Sequence, residues 1–341
     1  MKLPFEQLKN LTFGAAYVEE CDEKTIFHRF NQQEEELYKA VGYKFYKKTL
    51  ANSCITIEFQ TNSASLFLKT CVTPRSSRNF YSHDVYVDGV FCDSLKGIVD
   101  LPDDDSIRSE IVEKNFVLGE NGKLKNIRIH LPWSCSSDII ELSIDDGATV
   151  FSTNKDINKK TKILLYGDSI TQGYDADYTS NSYASRLMLN LNAEARNKGI
   201  GGEVFRPELA EIKNEDFEPY IITVAYGTND WSGGISKEVF ESKINDFFAY
   251  IAKNYPNAKI FAIAPIWRAD YLEDRPFGKF KDLKKCLSNV ANKYSNITLI
   301  DGFDFVPHDC NLFSDKSLHP NDEGFAYYAN SLLKEMQKHL N

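Results

Sequence analysis

From residue 162 to the end, short apolar runs alternate with stretches of helical period, and that alternation leaves few folds open. The runs fall at 162–166, 193–196, 220–225, 258–264 and 297–301. Between and after them, apolar residues recur at helix spacing. Phe240, Ile244, Phe247, Phe248 and Ile251 do so over 237–254; Phe280, Leu283, Leu287, Val290 and Tyr294 over 277–294; Phe325, Tyr328, Ala329, Leu332 and Met336 over 322–338. Strands that alternate with helices pair in parallel, because each helix carries the chain back to the same end of the sheet. The pattern predicts a parallel sheet with helices on both faces.

The first half has another texture. Ile55–Phe59, Ser65–Lys69, Val85–Val87, Ile127–Ile129 and Ile139–Ile144 are short runs rich in β-branched and aromatic residues. Asp88-Gly89 between Tyr86-Val87 and Val90-Phe91 is a hairpin turn signal. Short strands at this spacing predict an all-β sandwich of jelly-roll size. The chain of 341 residues exceeds one ordinary core. The polar stretch from Ser152 to Thr161 reads as a linker, which divides it into 1–157 and 158–341.

Composition removes several kinds of partner. A net charge of −9 without a block of lysine or arginine argues against nucleic acid and anionic membrane surfaces. No apolar run approaches the roughly 20 residues that span a bilayer. The residues after Met1 lack the apolar stretch of a signal peptide, so a cytoplasmic location is expected. The seven cysteines are scattered and the six histidines follow no metal-ligand spacing. Reduced thiols, no metal and no organic cofactor are the expectation.

Within the second half, one position draws the chemistry together. Ser169 follows the run Ile163-Leu164-Leu165 in Gly167-Asp168-Ser169-Ile170, at the carboxyl edge of a strand and the start of a helix. That edge is where open α/β folds bind ligands. A serine hydroxyl needs a base, a group that orients the base, and donors aimed at the oxyanion. His319, between Leu318 and Pro320 just before the last helix, is the candidate base. Asp315, four residues upstream, could accept the other ring N–H. Gly202 ends the cluster Gly199-Ile200-Gly201-Gly202, and Asn229 follows the strand candidate 220–225 in Gly227-Thr228-Asn229-Asp230. The Ser169 and Gly202 amides and the Asn229 side chain are the candidate oxyanion donors. Each signal taken alone also fits an ordinary turn or surface loop.

Joined in this order, the segments resemble the four blocks of the SGNH hydrolases, the GDSL esterase group. Gly167-Asp168-Ser169-Ile170 is similar to its nucleophile block, Asn197–Gly202 to its glycine block, Gly227–Asp230 to its asparagine block and Leu318–Asn321 to its histidine block. The resemblance implies a three-layer α/β/α, flavodoxin-like fold and a serine esterase that works through an acyl-enzyme. One departure stands out. The family's acid lies three residues before the histidine, where this chain has Lys316, and the aspartate falls one place earlier. Either the loop carries an extra residue and Asp315 serves, or a Ser–His pair operates with another acceptor.

The sandwich before this unit resembles, more loosely, the arrangement of carbohydrate esterase family two, which implies acetyl esters on sugars. Trp231 and Trp267 follow two strand candidates and are the expected sugar-stacking residues. A small acylated substrate, an oligosaccharide in the first instance, is thus the expected partner, and self-association stays open. Two rival readings remain: a thioesterase or lysophospholipase, and a carbohydrate-binding protein that has lost catalysis.

Overall fold

In the computed structural model, which describes residues 1–100, 108–152 and 160–340, the five apolar runs of the second half pair as one parallel sheet. Its strands are Thr161–Gly167, Ala193–Asn197, Ile221–Ala225, Lys259–Ala264 and Ile297–Asp301. Across the sheet, 193–197 is outermost, followed by 161–167, 221–225, 259–264 and 297–301. This is the doubly wound 2-1-3-4-5 order, which places the crevice of a ligand site beside the first strand. Leu164, Tyr166, Ile222 and Val224 pack on one helical layer with Phe240, Phe247 and Leu287. Their neighbours Ile163, Leu165 and Ile221 pack on the other, with Leu187, Phe325 and Leu332.

The helices follow the predicted faces. Helix Lys237–Asn254 buries all five expected residues and starts at Ser236, whose side chain accepts from the Val239 amide at 3.3 Å. Helix Asp322–Leu340 runs slightly past its expected end. The segment expected helical over 277–294 is helical only over Asp282–Ala291. Gly278 at φ +105° breaks the first turn, so Phe280 packs from the loop instead.

The first half forms two antiparallel sheets packed face to face. One runs through Thr12–Phe13, Thr56–Thr61, Lys125–His130, Phe80–Val87 and Val90–Ile98, with Val150–Ser152 added on 56–61. The other orders Tyr17–Cys21, Lys24–His28, Cys135–Ile144, Ser65–Pro74 and Glu110–Val117. Ile57, Val85, Ile129, Leu68 and Leu142 fill the space between them. Asp88 and Gly89 turn the hairpin with φ of +50° and +80°. Of the expected linker, Ser152 and Thr161 lie in strands, and residues 153–159, with the division at 157/158, fall outside the described residues.

This half also holds helices Gln32–Val41 and Tyr43–Thr49. Phe30 and Tyr38 belong to the apolar layer of the parallel sheet, not to the sandwich core. The helix 32–41 begins with a capping box in which Asn31 and Glu34 satisfy each other's backbone amides. All seven cysteines are free thiols.

Candidate active site

The strand Thr161–Gly167 has neighbours on both sides and ends at Gly167. Asp168 caps the short helix Ser169–Gln172 by accepting from the Ile170 amide at 2.9 Å, which leaves Ser169 at the first helical position. Burial pushes the Asp168 carboxyl up to about 6, against the pull of the Ile170 amide and of His319. Ser169 Oγ lies 2.9 Å from His319 Nε2, across 150 residues of sequence.

The other ring nitrogen, Nδ1, lies 2.7 Å from Asp315 Oδ2. The second Asp315 oxygen accepts from the amides of Ser317, Leu318 and His319 at 3.0, 2.7 and 3.1 Å. Partial burial opposes ionisation of Asp315, but the His319 ring and these three amides outweigh it and hold the carboxyl well below the usual range. The extra residue in the loop is absorbed by Lys316, which takes a left-handed φ of +61°. The aspartate four positions before the histidine therefore reaches the ring, and a side chain three positions before does not.

The glycine and asparagine blocks end the strands on either side of the nucleophile strand. Gly202 has φ +83°, a conformation that L side chains rarely adopt. The Ser169 and Gly202 amides have no protein acceptor among the described residues. Asn229 donates one amide hydrogen to the Glu203 carbonyl at 2.9 Å, and Gln172 Oε1 accepts from the Gly201 amide at 2.8 Å. These two bonds tie the three loops to one another. Asp230 accepts from the Phe205 amide at 3.3 Å, and burial pushes its carboxyl up to about 7.

Several residues outside the motifs support the site. Tyr174 stacks on the His319 ring, centroids 5.5 Å apart, and Trp133 of the sandwich packs behind it at 5.0 Å. Arg78, also from the sandwich, grips Asp175 with two bonds of 2.6 and 2.9 Å. Asp175 Oδ2 stands 3.7 Å from His319 Nδ1. Arg29 is fully buried and donates to the carbonyls of Lys48, Ala51, Asn197 and Gly199, so it seats the glycine loop on the first half. Lys198 and Glu34 form a fully buried ion pair beside it. None of these shows a local pattern in sequence; each acts through a partner at least 20 residues away or through a ring stack.

Asp175, Asp315 and His319 bring three potential cation ligands within 4.8 Å of one another. Both carboxylates are already engaged, one by Arg78 and one by the imidazole, which suits an acid–base chain rather than a metal site.

The two expected sugar-stacking tryptophans require a correction. Trp231 is fully buried, its indole N–H donates to the Gly278 carbonyl at 2.9 Å, and Arg275 lies over its ring at 4.2 Å. Trp267 is 7% exposed and stacks on His308 at 5.3 Å. Neither offers an open ring face, because the loops at the carboxyl edge fold back over these large apolar rings.

Residues 165–327 match the model of the GDSL-like Lipase/Acylhydrolase family, a span that holds Ser169, Gly202, Asn229, Asp315 and His319. No curated protein matches the chain. Among solved structures, the salicylyl-acyltransferase SsfX3 from a tetracycline biosynthetic pathway is similar over 96% of this chain and 94% of its own, with TM-score 0.79 and 20% identity. A putative GDSL-like lipase from Bacteroides ovatus is similar over 99% and 97%, with TM-score 0.74 and 20% identity. A family two carbohydrate esterase from Clostridium thermocellum, in complex with cellohexaose, is similar over 85% and 94%, with TM-score 0.63 and 16% identity. The fold likeness thus extends over both halves, and the segment that carries the serine, the histidine and the loops between them, residues 165–327, is similar in sequence to the GDSL-like lipase/acylhydrolase family.

Proposed function

We propose that the protein is a serine esterase that removes small acyl groups, acetyl first among them, from carbohydrate esters. The observation that carries the catalytic part is the unbroken chain from Ser169 Oγ through His319 to Asp315, with links of 2.9 and 2.7 Å. His319 Nε2 takes the hydroxyl proton as Ser169 Oγ attacks the ester carbonyl. Asp315 stays ionised and stabilises the imidazolium that forms. The Ser169 and Gly202 amides and the free hydrogen of the Asn229 amide donate to the oxyanion, each contributing about 3 kcal/mol to barrier lowering. The intermediate collapses as the alcohol leaves with the proton from His319. Water then attacks the acyl carbon as it gives a proton to Nε2, and the Oγ–acyl bond breaks as that proton passes to Ser169 Oγ, releasing the acid.

The sugar part of this reading is supported by the architecture shared with a carbohydrate esterase bound to cellohexaose, over both the sandwich and the parallel sheet. A second reading keeps the same acyl-enzyme but passes the acyl group to an alcohol instead of water. It is favoured by the likeness to a salicylyl-acyltransferase over nearly the whole chain.

Three measurements separate these readings. A fluorophosphonate probe should label the protein and fail to label Ser169→Ala; no labelling of the unaltered protein would leave only a binding role. Among 4-nitrophenyl esters the acetate should react fastest; a preference for long acyl chains would point to a lysophospholipase or thioesterase. Acetylated xylo- or cello-oligosaccharides should release acetate, and partition of the acyl group to added alcohols over water would favour the transferase.

A further inference from the structure

We propose that Asp175 is a second acid for His319, kept out of hydrogen-bond range by Arg78, so that the sandwich decides which carboxylate orients the histidine. Two carboxylate oxygens face the same ring nitrogen, Asp315 Oδ2 at 2.7 Å and Asp175 Oδ2 at 3.7 Å. A single Nδ1–H serves one of them at a time. Both Asp175 oxygens are taken by the Arg78 fork, Nε on Oδ1 and Nη2 on Oδ2. The same guanidinium lies 5.6 Å over the Tyr174 ring that stacks on His319. Asp175 holds a left-handed φ of +68°, a backbone state that persists when the surroundings fix it. With only 9% of its side chain exposed, little water competes for its oxygens. A movement of about 1 Å would bring Oδ2 to hydrogen-bond distance of Nδ1. Asp175 is thus a positioning residue that acts through His319, and Arg78 is its restraint.

The kinetic arm of the test rests on the esterase reading; the spectroscopic arm does not. Turnover of 4-nitrophenyl acetate is compared in Asp315→Asn, Asp315→Asn/Asp175→Asn and Asp315→Asn/Arg78→Gln. Asp315→Asn alone should lose less than the roughly 10⁴-fold in kcat expected when no carboxylate remains to orient the base. Adding Asp175→Asn should lower kcat by a further factor of about ten, whereas adding Arg78→Gln should raise it about threefold above Asp315→Asn. That reversal of sign is what a merely structural arginine cannot produce. If Arg78→Gln does not fold, Arg78→Lys, which loses the two-point grip, should act in the same direction.

The proton spectrum supplies the second arm. The low-field resonance of the His319 Nδ1–H should be present in Asp315→Asn/Arg78→Gln and absent in Asp315→Asn/Asp175→Asn, whether or not an ester is turned over. An unaltered protein without turnover would end the esterase reading and leave this arm to decide. Equal resonances in the two double variants, or equal kcat in Asp315→Asn with and without Asp175, would overturn the proposal.

Discussion

The parallel sheet buries both of its faces, Leu164 and Tyr166 against one helical layer and Ile163 and Leu165 against the other. The sandwich buries one face of its first sheet and turns the other toward the catalytic region. On that outer face, Asp84 accepts from the Ser180 amide at 2.8 Å, Tyr86 donates to Ser180 Oγ at 3.0 Å, and Glu58 meets Lys160 at 2.7 Å. Apolar contact builds each region, and polar contacts such as these join apolar ones, Trp133 on Tyr174 and Phe30 and Tyr38 in the layer of the parallel sheet, in setting one against the other. Chemistry lies at the ends of parallel strands in short motifs, and its support lies on a sheet face whose partners are far away in sequence.

The strongest way to test this contrast is to remove the nucleophile. Ser169→Ala should lower ester turnover by about 10⁶ while leaving the melting curve in place. A residual rate within about tenfold of the unaltered protein would place the chemistry elsewhere.

The next largest effect belongs to the junction. Glu34→Gln leaves Lys198 buried without its counter-charge and should destabilise the fold by about 3–5 kcal/mol in urea unfolding. Burial already draws the Lys198 ammonium down to about 8, so little reserve remains there. The double change Glu34→Gln/Lys198→Met, which removes the unpaired ammonium and keeps an acceptor for the Asn31 amide, should recover part of the loss. A cost below about 1 kcal/mol for Glu34→Gln would show that the Lys198–Glu34 pair adds little to the hold that Arg29 has on the glycine loop.

A donor at the strand ends comes third. Asn229→Ala should lower kcat by about 10²–10³ with little change in KM, read from steady-state hydrolysis of 4-nitrophenyl acetate. A change confined to KM would mean that Asn229 binds substrate instead of the oxyanion.

The smallest effect concerns pH, where the two regions oppose each other. Burial lowers the sandwich histidines His83 and His130 to about 4 and about 3. Between their ordinary value of 6.5 and those values, the unfolded chain binds protons that the folded chain refuses, so stability falls as pH falls. Asp168 and Asp230 do the reverse. Burial raises them to about 6 and about 7, so from 3.8 upward the folded chain holds protons that the unfolded chain releases, and stability falls as pH rises. Over pH 4 to 6 the two contributions offset. Asp230→Asn should therefore make stability rise with pH more steeply, by about 1.4 kcal/mol per pH unit. Urea unfolding at pH 4.5 and pH 6 measures it, and an unchanged slope would show that the sandwich histidines are not opposed from the parallel side.

Much of the parallel region was legible because its signals are local. Five apolar runs gave five strands, and the face of helix Lys237–Asn254 followed from period alone. Gly202 was readable because a left-handed φ selects glycine. The helix Gln32–Val41 was less readable, since Glu34, Glu35 and Tyr38 are its buried residues and two of them are charged. Trp231 and Trp267 were misread for a related reason. Position at a strand end does not reveal whether a loop folds over the ring.

Spacing along the chain fixed the alternation of strands and helices in the parallel region and the residue types of a serine–histidine site. Tertiary structure alone decided the rest. It brought Asp315 rather than residue 316 to the imidazole, because a left-handed Lys316 takes up the extra residue. It set Arg78 against Asp175 and placed Arg29 beneath the glycine loop. Such choices depend on which buried charges and amides meet across the fold, and distances of that kind leave no period in the chain.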